Sequence, residues 1–586
     1  MSTLAIPDFL EFHPVALRHL PIVREAIDRL GIREVLDELL PTDSRAEVSD
    51  GDCVTVMIAN ILGGRVALYN MGEWLAATDV GLLLWEGCPT RAFGDDRLGK
   101  TLDHIWNTGT DNIVTAVATR YLRSADAPRE YCVLNDTTTL SLQGAYILDD
   151  YEVEGAPVPK HGHSKDFRPD LKQLVYGVSL HGAACMPLVG TLLDGNTSDH
   201  VANRLHIDKL AALLPPEDEV TLVADCKFAD AEMLGKAWRT GFHYVTLLPR
   251  TYNLREELVE AVRADGTSLA EAGRYAGRTL DDPERVYRGT SFTRPLPLLD
   301  PIDGALMAVE HRFLVLESSQ LALAHEARIP GDLERAEKSI RAAFRAAGKT
   351  AFDCASDAQQ ALDKAAVKAT LHTVDARVVE VEEPLKRERR GRPCLGETLP
   401  TRTVWRVELV GLTVDDAAVE RERFHARHFV LLTDHLDEKK WPDERVFETY
   451  RSQRAIEGHT GFRWLKGPAA VAPVFLKLPH RIAALGMVFL LALMVRNWIQ
   501  ARIRAQLAAT TQKLPNMNDR PTSTPTTECF FRVFQYIASV LVRDDGGRIL
   551  ERRVHGMSSL TERALLAIGF EAEIFWTPRR KSWRPG

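Results

Sequence analysis

Residues 219–249 read EVTLVADCKFADAEMLGKAWRTGFHYVTLLP, and this stretch decides the fold class. An apolar run ends at Asp225, a helical pattern covers 229–241, and a second apolar run follows from Phe242. Short apolar runs bounded by turn signals predict strands, and the pattern between them predicts a helix. A strand, a helix and a strand in succession predict a sheet that is covered by helices.

Three more β-type runs precede this stretch. They are YCVLN at 131–135, LVYGVSLHG at 174–182 and MPLVGTLL at 186–193. Consecutive strands that pass into alternating helix and strand imply an α/β fold with a mixed sheet.

The chain divides by pattern into five parts. Residues 1–123 repeat apolar positions at helical spacing, as at Leu17, Leu20 and Val23, and predict an N-terminal helical domain. The other parts are the first half of the α/β domain (124–250), an inserted domain with helical and β segments (251–434), the second half of the α/β domain (435–513), and a linker with a C-terminal unit (514–586).

The composition is ordinary for a soluble multidomain protein. The chain has 586 residues, of which 45% are hydrophobic and 26% are charged. Its first residues, MSTLAIPDFLEFHP, lack a basic stretch followed by an apolar run, so no secretion signal is expected. Eight cysteines without CxxC spacing argue against a disulfide framework and a structural zinc site, and they fit a reducing cytoplasm.

One apolar run, IAALGMVFLLALMV at 482–495, invites a membrane interpretation. Its 14 residues are fewer than the roughly 20 that a helix needs to cross the hydrocarbon layer. The run therefore predicts a buried core helix, and no membrane is expected as a partner.

The net charge of −8 conceals an uneven distribution. Residues 1–120 hold 18 acids and 10 Lys plus Arg, whereas residues 441–586 hold 12 acids and 22 Lys plus Arg. A basic C-terminal quarter could attract a polyanion, or it could balance the acidic N-terminal domain across an interface. Charge alone leaves both interpretations open.

Two aspartates stand where apolar runs end. Asp136 closes YCVLND and Asp225 closes TLVAD, so both are predicted at the carboxyl ends of strands. That edge of an open sheet is where ligands bind. A single aspartate at such a place is more often a turn former or a helix N-cap, so the pair needs a third group to indicate a site.

A third acid lies in YRSQRAIEGHTGFRWLK at 450–466. As a helix, this stretch places Tyr450, Gln453, Arg454 and Glu457 on one face. A solvated surface helix has the same appearance. With the two aspartates, however, Glu457 would complete a three-carboxylate site, which suits Mg²⁺ because this hard cation takes oxygen ligands and keeps positions open for water and phosphate.

Several segments resemble the DDE transposases of bacterial insertion sequences, in the branch with a Tyr-x2-Arg-x3-Glu-x6-Lys signature and a β-rich insertion before the Glu. The similar segments are VLNDTTT at 133–139, HGHSKDFRPDLKQLVYGVSL at 161–180, LDGNTSD at 193–199, TLVADCKF at 221–228, FRWLKGP at 462–468 and FLKLPHRIAAL at 475–485. Residues 14–120 resemble the family's N-terminal helical domain. The resemblance covers most of the chain and implies an RNase H-like catalytic domain.

The resemblance also implies the site and its partners. Asp136, Asp225 and Glu457 would be the catalytic metal ligands for Mg²⁺, with Mn²⁺ as a substitute ion. The candidates for holding the DNA backbone beside them are Tyr450, Arg454, Arg463 and Lys466. The expected partners are the terminal repeats of the element, target DNA and a second copy of the chain. The N-terminal domain would bind DNA ends or dimerise, and the protein would act in the bacterial cytoplasm.

Two positions depart from the family signature. The arginine three residues after the tyrosine is Gln453 here, and the lysine stands nine residues after Glu457 instead of seven. At about 100° per residue, nine residues turn Lys466 to the opposite face of an unbroken helix.

The insert GHTG at 458–461 offers a remedy because its two glycines weaken a helix. We predict a helix irregularity between 458 and 462, with Phe462 and Leu465 packed inward and Lys466 near the metal site. Trp464 could stack on an unpaired base, although a tryptophan beside an apolar helix more often belongs to the core.

The expected activity is that of a DNA transposase. It would hydrolyse a phosphodiester at each element end and then join the freed 3′-hydroxyl to target DNA, since one site can serve two in-line displacements at phosphorus. Two alternatives stay open. One is a nuclease of the same fold that only hydrolyses DNA, and the other is a catalytically inactive DNA-binding protein derived from a transposase.

A second basic stretch, KRERRGRP at 386–393, contains Arg390-Gly391-Arg392-Pro393, which resembles an AT-hook. An extended Arg-Gly-Arg can enter a narrow minor groove. A solvated basic loop in the inserted domain is the preferred interpretation of this segment.

Overall fold

A computed structural model describes residues 11–41, 45–144, 146, 153–215, 218–277, 282–385, 400–458, 460–466 and 476–581. The fold class is mixed α/β, with a large mixed sheet of nine strands, as the strand and helix runs predict. The basic segment at 386–393 lies outside the described residues, so the AT-hook hypothesis stays a prediction.

The N-terminal unit is mainly helical. It contains β1 Glu11–Ala16, α1 Leu20–Leu30, α2 Ile32–Leu39, α3 Asp50–Ala59, α4 Met71–Ala76, α5 Val80–Leu83, α6 Asp95–Thr108 and α7 Thr110–Leu122. A π-helical turn, Asn60–Gly64, extends α3, and 3-10 turns lie at Leu68–Asn70 and Thr90–Ala92. Gly31 has a φ of 65°, and this left-handed conformation lets α1 end where α2 begins.

The first half of the central sheet follows. Its elements are β2 Tyr131–Leu142, β3 Lys172–His181, β4 Met186–Leu193, α8 Asp199–Leu213, β5 Val220–Ala224, α9 Ala231–Thr240 and β6 His243–Leu247. A 3-10 turn, Cys226–Phe228, lies directly after β5. Strands β2, β3 and β4 pair antiparallel, whereas β2, β5 and β6 run parallel. Each predicted β-type run is therefore a strand.

The inserted segment contributes to the same sheet and also forms an arm. Its elements are α10 Asn253–Asp265, β7 Ala270–Tyr275, β8 Arg285–Leu299, β9 Leu306–Ser318, α11 Ser319–Lys349, α12 Ala355–Ala366, β10 His372–Pro384, β11 Thr401–Val414, α13 Asp416–Arg427 and β12 His428–Thr433. The strand order of the sheet is β4-β3-β2-β5-β6-β12-β9-β8-β7. Because β12 pairs with both β6 and β9, the insertion returns the chain to the centre of the sheet.

The arm is built from α11, α12 and the two-stranded β10–β11 ribbon. A small core of its own holds it together, with Ile340 and Phe344 of α11 packed against Val407 of β11. The insertion is thus divided between sheet and arm rather than forming one separate domain.

The segment after the insertion is helical. It contains α14 Asp443–Arg451, α15 Arg454–Glu457, α16 Phe462–Leu465 and α17 Pro479–Thr510. By length and composition α17 could cross a membrane, but its most apolar 18-residue window is wholly buried inside the protein. It packs against β4, α6 and α3, so it is the predicted core helix. Helix α17 is longer than the apolar run at 482–495 because Ile499, Ile503 and Leu507 continue a buried stripe at i+4 spacing.

The C-terminal unit contains β13 Leu514–Pro515, β14 Pro521–Thr522, α18 Thr527–Val533, β15 Ala538–Arg543, β16 Ile549–His555 and α19 Ser559–Ile568, followed by a 3-10 turn at Ala572–Phe575. Strand β15 lies between β1 and β16, and Glu11 is paired with Arg543 at one end of the β1–β15 register. The two ends of the chain therefore share a three-stranded sheet. The segment predicted as an N-terminal helical domain therefore also contains the strand β1.

The uneven charge is partly neutralised across this contact. Arg552 pairs with Asp79 at 2.6 Å and Arg579 with Glu25 at 2.6 Å, while Arg481 at the start of α17 pairs with Asp103 at 2.7 Å. Basic residues of the C-terminal quarter thus meet acids of the N-terminal unit. This favours the interface interpretation of the charge distribution, so the excess of basic residues is weak support for DNA binding.

Candidate functional site

Asp136 and Asp225 lie side by side at one edge of the sheet. The parallel pairing of β2 with β5 ends with Leu134 opposite Val223, and each aspartate stands two residues further along its strand direction. Parallel strands in register bring equivalent positions to the same level. The structure thus places the two aspartates on neighbouring segments, as the sequence predicts.

The prediction that Asp136 ends its strand is wrong. Strand β2 continues to Leu142 because residues 137–142, TTTLSL, stay paired with β3. Only the pairing with β5 stops at Leu134. Asp136 therefore lies in the middle of the long strand β2, just beyond the point where the pairing with β5 ends. Asp225 caps the 3-10 turn after β5 by accepting a hydrogen bond from the Lys227 backbone N–H at 3.1 Å.

A buried polar network fixes the strand immediately before Asp136. Asn135 donates to Asn203 Oδ1 at 2.7 Å and accepts from Ser179 Oγ at 2.8 Å, and His206 Nδ1 lies 2.8 Å from the same serine oxygen. A Cβ on Gly177 would lie 2.7 Å from the His206 ring, so glycine makes room for it. Buried, hydrogen-bonded side chains of this kind hold the aspartate in a defined position.

Glu457 reaches the aspartates from the other half of the chain. Helix α15 packs against β2, and its Ile456 is fully buried in the core cluster that includes Leu134 and Val223. Glu457, the next residue, is exposed and lines a cleft together with Arg454 and Arg250. The charge of Glu457 acts on Asp136, so three segments far apart in sequence meet in one neighbourhood, although the ligand atoms of the three acids are not within 4.8 Å of one another.

The electrostatics reflect this convergence. Burial raises the pKa of Asp136 to about 7, and the charges of Asp225 and Glu457 add to the rise, although Lys165 and the Thr137 backbone N–H oppose it. Burial also raises the pKa of Asp225, and the nearby Asp199 contributes to that rise. A carboxyl group of this kind is stabilised by a cation, which restores the charged form.

Two lysines and a fourth acid surround the aspartates, and the sequence analysis did not assign them. Lys165 Nζ lies 3.6 Å from Asp136 and 3.4 Å from Asp199, and it donates to Thr137 Oγ1 at 2.7 Å. Asp199 also accepts from Lys227 and from the Thr137 hydroxyl. Burial pushes the pKa of Asp199 up, but these hydrogen bonds and the Lys165 charge outweigh it and lower the pKa. In the sequence, Lys165 belongs to the segment SKD at 164–166 and Asp199 to the segment GNTSD at 195–199, and these two segments were the available signal for both residues.

A cleft opens beside Glu457. It has a volume of about 430 Å³ and is lined by Tyr450, Arg451, Gln453, Arg454, Glu457, Arg250, Arg255 and residues of β9, β12 and α14. Burial and the neighbouring Arg250 charge lower the pKa of Arg255. Burial raises the pKa of Tyr450, with Asp225 and Glu457 contributing, so the tyrosine hydroxyl stays protonated. The cleft is a cationic pocket whose lining includes Glu457.

The helix irregularity predicted between 458 and 462 is present as a full interruption. α15 ends at Glu457 and α16 begins at Phe462. Gly461 makes the interruption possible, because a Cβ there would lie 2.0 Å from the Ile456 carbonyl oxygen. Asn497 of α17 donates to the Thr460 carbonyl at 2.8 Å and ties the interruption to the core helix.

The residues after the interruption take the predicted sides. Phe462 and Leu465 are buried, and so is Trp464, which therefore belongs to the core rather than to a base-stacking surface. Arg463 is exposed. Lys466 Nζ donates to Asp166 Oδ1 at 2.5 Å, and Asp166 directly follows Lys165 in the chain. Lys466 thus contacts the loop that contains Lys165, the lysine beside Asp136.

Gly461→Ala tests the interruption. We expect this substitution to lower the thermal midpoint and to reduce any DNA cleavage at least tenfold, because the added methyl forces the Ile456 carbonyl and hence Glu457 to move, at a cost of about 1–3 kcal/mol. Differential scanning fluorimetry and a cleavage assay measure both effects.

Gly458→Ala is the matched control. Its added Cβ would lie 3.1 Å from the nearest atom, the Arg454 carbonyl oxygen, so a smaller effect is expected. Equal behaviour of the two variants would show that the close approach at Gly461 does not position Glu457.

Two other groups of candidate ligands occur among the described residues, one formed by His200, Asp230 and Glu232 and one at the start of β5 and β6 and the end of β12. Glu219, His243 and His435 offer ligand atoms within 4.8 Å of one another. The two imidazoles are stacked at 4.4 Å, however, so their lone pairs run side by side instead of converging. His243 Nδ1 also bonds Asp434 at 2.9 Å and His435 Nε2 bonds Thr221 at 2.9 Å. This group is better explained as a stacked structural cluster.

Comparison with known proteins gives a family for one part of the chain. Residues 13–119 match the family described as a domain of unknown function, DUF4277. The match covers the N-terminal unit and does not extend to the segments that carry the three carboxylates. No curated protein matches the chain.

Proposed function

We propose that this protein is a DNA transposase of the DDE type, which cleaves phosphodiester bonds at element ends and joins the 3′-hydroxyls to target DNA. The observation that supports the proposal is that Asp136 and Asp225 lie side by side just beyond the β2–β5 pairing, with the charge of Glu457 acting on Asp136 and a cationic cleft beside Glu457. Carboxyl groups with raised pKa values cluster at functional sites, and Asp136 and Asp225 are two such groups on neighbouring segments.

We infer that the catalytic domain is RNase H-like. The strand order β4-β3-β2-β5-β6 supports this, because three antiparallel strands are followed by two strands parallel to β2. The central strand β2 and its parallel neighbour β5 then carry the first two acids. In this arrangement β7, β8, β9 and β12 extend the sheet beyond β6 as part of the insertion.

The donor set fits Mg²⁺. Asp136, Asp225 and Glu457 offer only carboxylate oxygens, and a dication would compensate both the burial and the carboxylate repulsion that raise the pKa of Asp136. Asp199 is held by two lysines and a hydroxyl, so we propose it as a support rather than a ligand. When bound, Mg²⁺ supplies the charge that stabilises the attacking and leaving oxygens of an in-line displacement.

The chain's own residues would position the DNA. Arg454 and Arg250 are exposed in the cleft and can neutralise phosphates, and the protonated Tyr450 can donate a hydrogen bond to a phosphate oxygen. Lys165 faces Asp136 and would give up that contact when a cation takes its place. Gln453 is buried, so the arginine function of the family signature would pass to Arg454.

The test is incubation of the purified protein with the DNA that flanks its own gene, in Mg²⁺, in Mn²⁺ and in EDTA. The proposal requires ion-dependent cleavage at the element ends and transfer of those ends into a target plasmid. Cleavage without joining would indicate the nuclease alternative. Specific end binding with no cleavage in either ion would indicate the inactive DNA-binding alternative.

Salt dependence distinguishes the two candidate phosphate contacts. Arg454 forms no ion pair within the described part of the chain and lines the cleft, whereas Lys466 is paired with Asp166. We therefore expect Arg454→Ala to reduce the slope of log affinity against log salt by about one unit, and Lys466→Ala to change it by less. Binding to labelled ends across a salt series measures this, and the reverse order would make Lys466 the contact.

A further inference from the structure

Phe167 is the most exposed large hydrophobic residue described in the chain, and it lies in the loop that flanks Asp136. Its side chain is 91% exposed. Its φ is 56°, a left-handed conformation that is unfavourable for a bulky side chain. Exposed aromatic surface and backbone strain are both costly, and they coincide here at a functional edge, where strain of this kind tends to be retained.

The loop around Phe167 is anchored on both sides. Lys165 donates from its backbone to Thr139 Oγ1 at 3.1 Å and from Nζ to the Thr137 carbonyl at 2.8 Å. Asp166 accepts from Lys466, and the Arg168 backbone N–H donates to Ser164 Oγ at 3.1 Å. The hydrogen bonds therefore hold the backbone on either side of Phe167, while its ring contacts little of the protein.

We infer that Phe167 stacks on a DNA base that leaves the duplex next to the phosphate to be cleaved. This inference rests on the proposed function and adds a base-contacting residue to it. An aromatic ring can stack on any base, because every base has a π-face. Lys165 and Arg168 flank the ring and are paired with Asp136 and Asp170, so each would have to exchange its carboxylate for one of the phosphates on either side of an unstacked base.

Photocross-linking tests the inference directly. Element-end DNA carries 5-iododeoxyuridine at each position around the cleavage site in turn, and the full-length protein is irradiated with it in EDTA. We expect an adduct on Phe167, located by mass spectrometry. Phe167→Ala should lose that adduct and cut on the order of tenfold more slowly or worse, and Phe167→Trp should restore both to within about threefold.

Two controls separate this contact from a structural role. Tyr536, on the C-terminal unit, is 81% exposed, and Tyr536→Ala should leave the adduct and the cutting rate unchanged. Phe167→Ala should also keep the wild-type thermal midpoint, because the ring buries almost nothing.

The possible outcomes distinguish a failure of the inference about Phe167 from a failure of the proposed function. If wild-type protein cuts the DNA, and Phe167→Ala cuts equally fast with the adduct elsewhere, the inference is wrong and the proposed function stands. If wild-type protein neither binds nor cuts element ends, the proposed function fails and this inference fails with it.

Discussion

Replacing Asp136 by Asn, Asp225 by Asn or Glu457 by Gln will reduce metal-dependent DNA cleavage on the order of 10³-fold or more, while binding of element ends is retained. The amides keep the shape of the side chains but lose the charge that holds a divalent ion. Gel assays of cleavage and electrophoretic mobility shifts on the same DNA measure the two properties.

The Asp136→Asn variant should not be less stable than the wild type without metal. Burial and the other two carboxylates disfavour the charged form of Asp136, so its neutral replacement should stabilise the protein by about 1–2 kcal/mol at pH 8. Asp208→Asn is the control, because Asp208 is an exposed acid on α8 paired with Lys236. Near-normal cleavage in any one of the three variants would remove that residue from the site.

Acidification from pH 7.5 to pH 5 should destabilise the protein strongly through buried neutral histidines. Burial lowers the pKa of His206 to about 3, of His435 to about 2 and of His19 to about 4. Below about pH 6.5 these histidines bind protons in the unfolded chain but stay neutral in the folded one, so folding stability falls with pH. Each contributes a loss of about 2 kcal/mol at pH 5.

A substitution isolates one of these contributions. His206→Gln keeps a side chain that can bond Asn135 and Ser179 but does not titrate, so its thermal midpoint should fall less between pH 7.5 and pH 5 than that of the wild type. The exposed His555 serves as the control, and His555→Gln should follow the wild-type curve. Other groups, such as Asp136 with its raised pKa, increase the folding stability on acidification. Their contributions are the same in the variant and in the wild type, so they cancel when the two thermal midpoints are compared. Parallel curves for His206→Gln and the wild type would contradict the prediction.

Local patterns in the sequence predicted much of the fold. The apolar runs became strands because their length and β-branched content favour extended chain whatever they pair with. The buried helix around residues 482–495 was also predictable, because this apolar run has no polar face that could contact solvent. The interruption after Glu457 was predictable because residues 458–461 contain two glycines, and because the spacing from Glu457 to Lys466 is two residues longer than in the family signature.

Other features depend on pairing between distant segments, which a single sequence does not specify. Nothing in EFHPVA at 11–16 indicates that it pairs with residues 538–543, and nothing in HFVLLT at 428–433 indicates a place between β6 and β9. Asp136 was misplaced at a strand end because its run of apolar residues stops there, while the pairing with β3 continues. The roles of Lys165 and Asp199 became visible only when the strands brought them beside the aspartates.

The pairing of β1 with β15 has a consequence for biosynthesis. During translation the N-terminal helices emerge more than 400 residues before the strand and the aromatic residues that complete their core, including Phe530, Phe534 and Phe575. Until then part of their apolar surface faces water or a chaperone. A chain that stops early therefore leaves the first unit unfinished, and the ribosome must deliver nearly the whole polypeptide before a competent molecule exists.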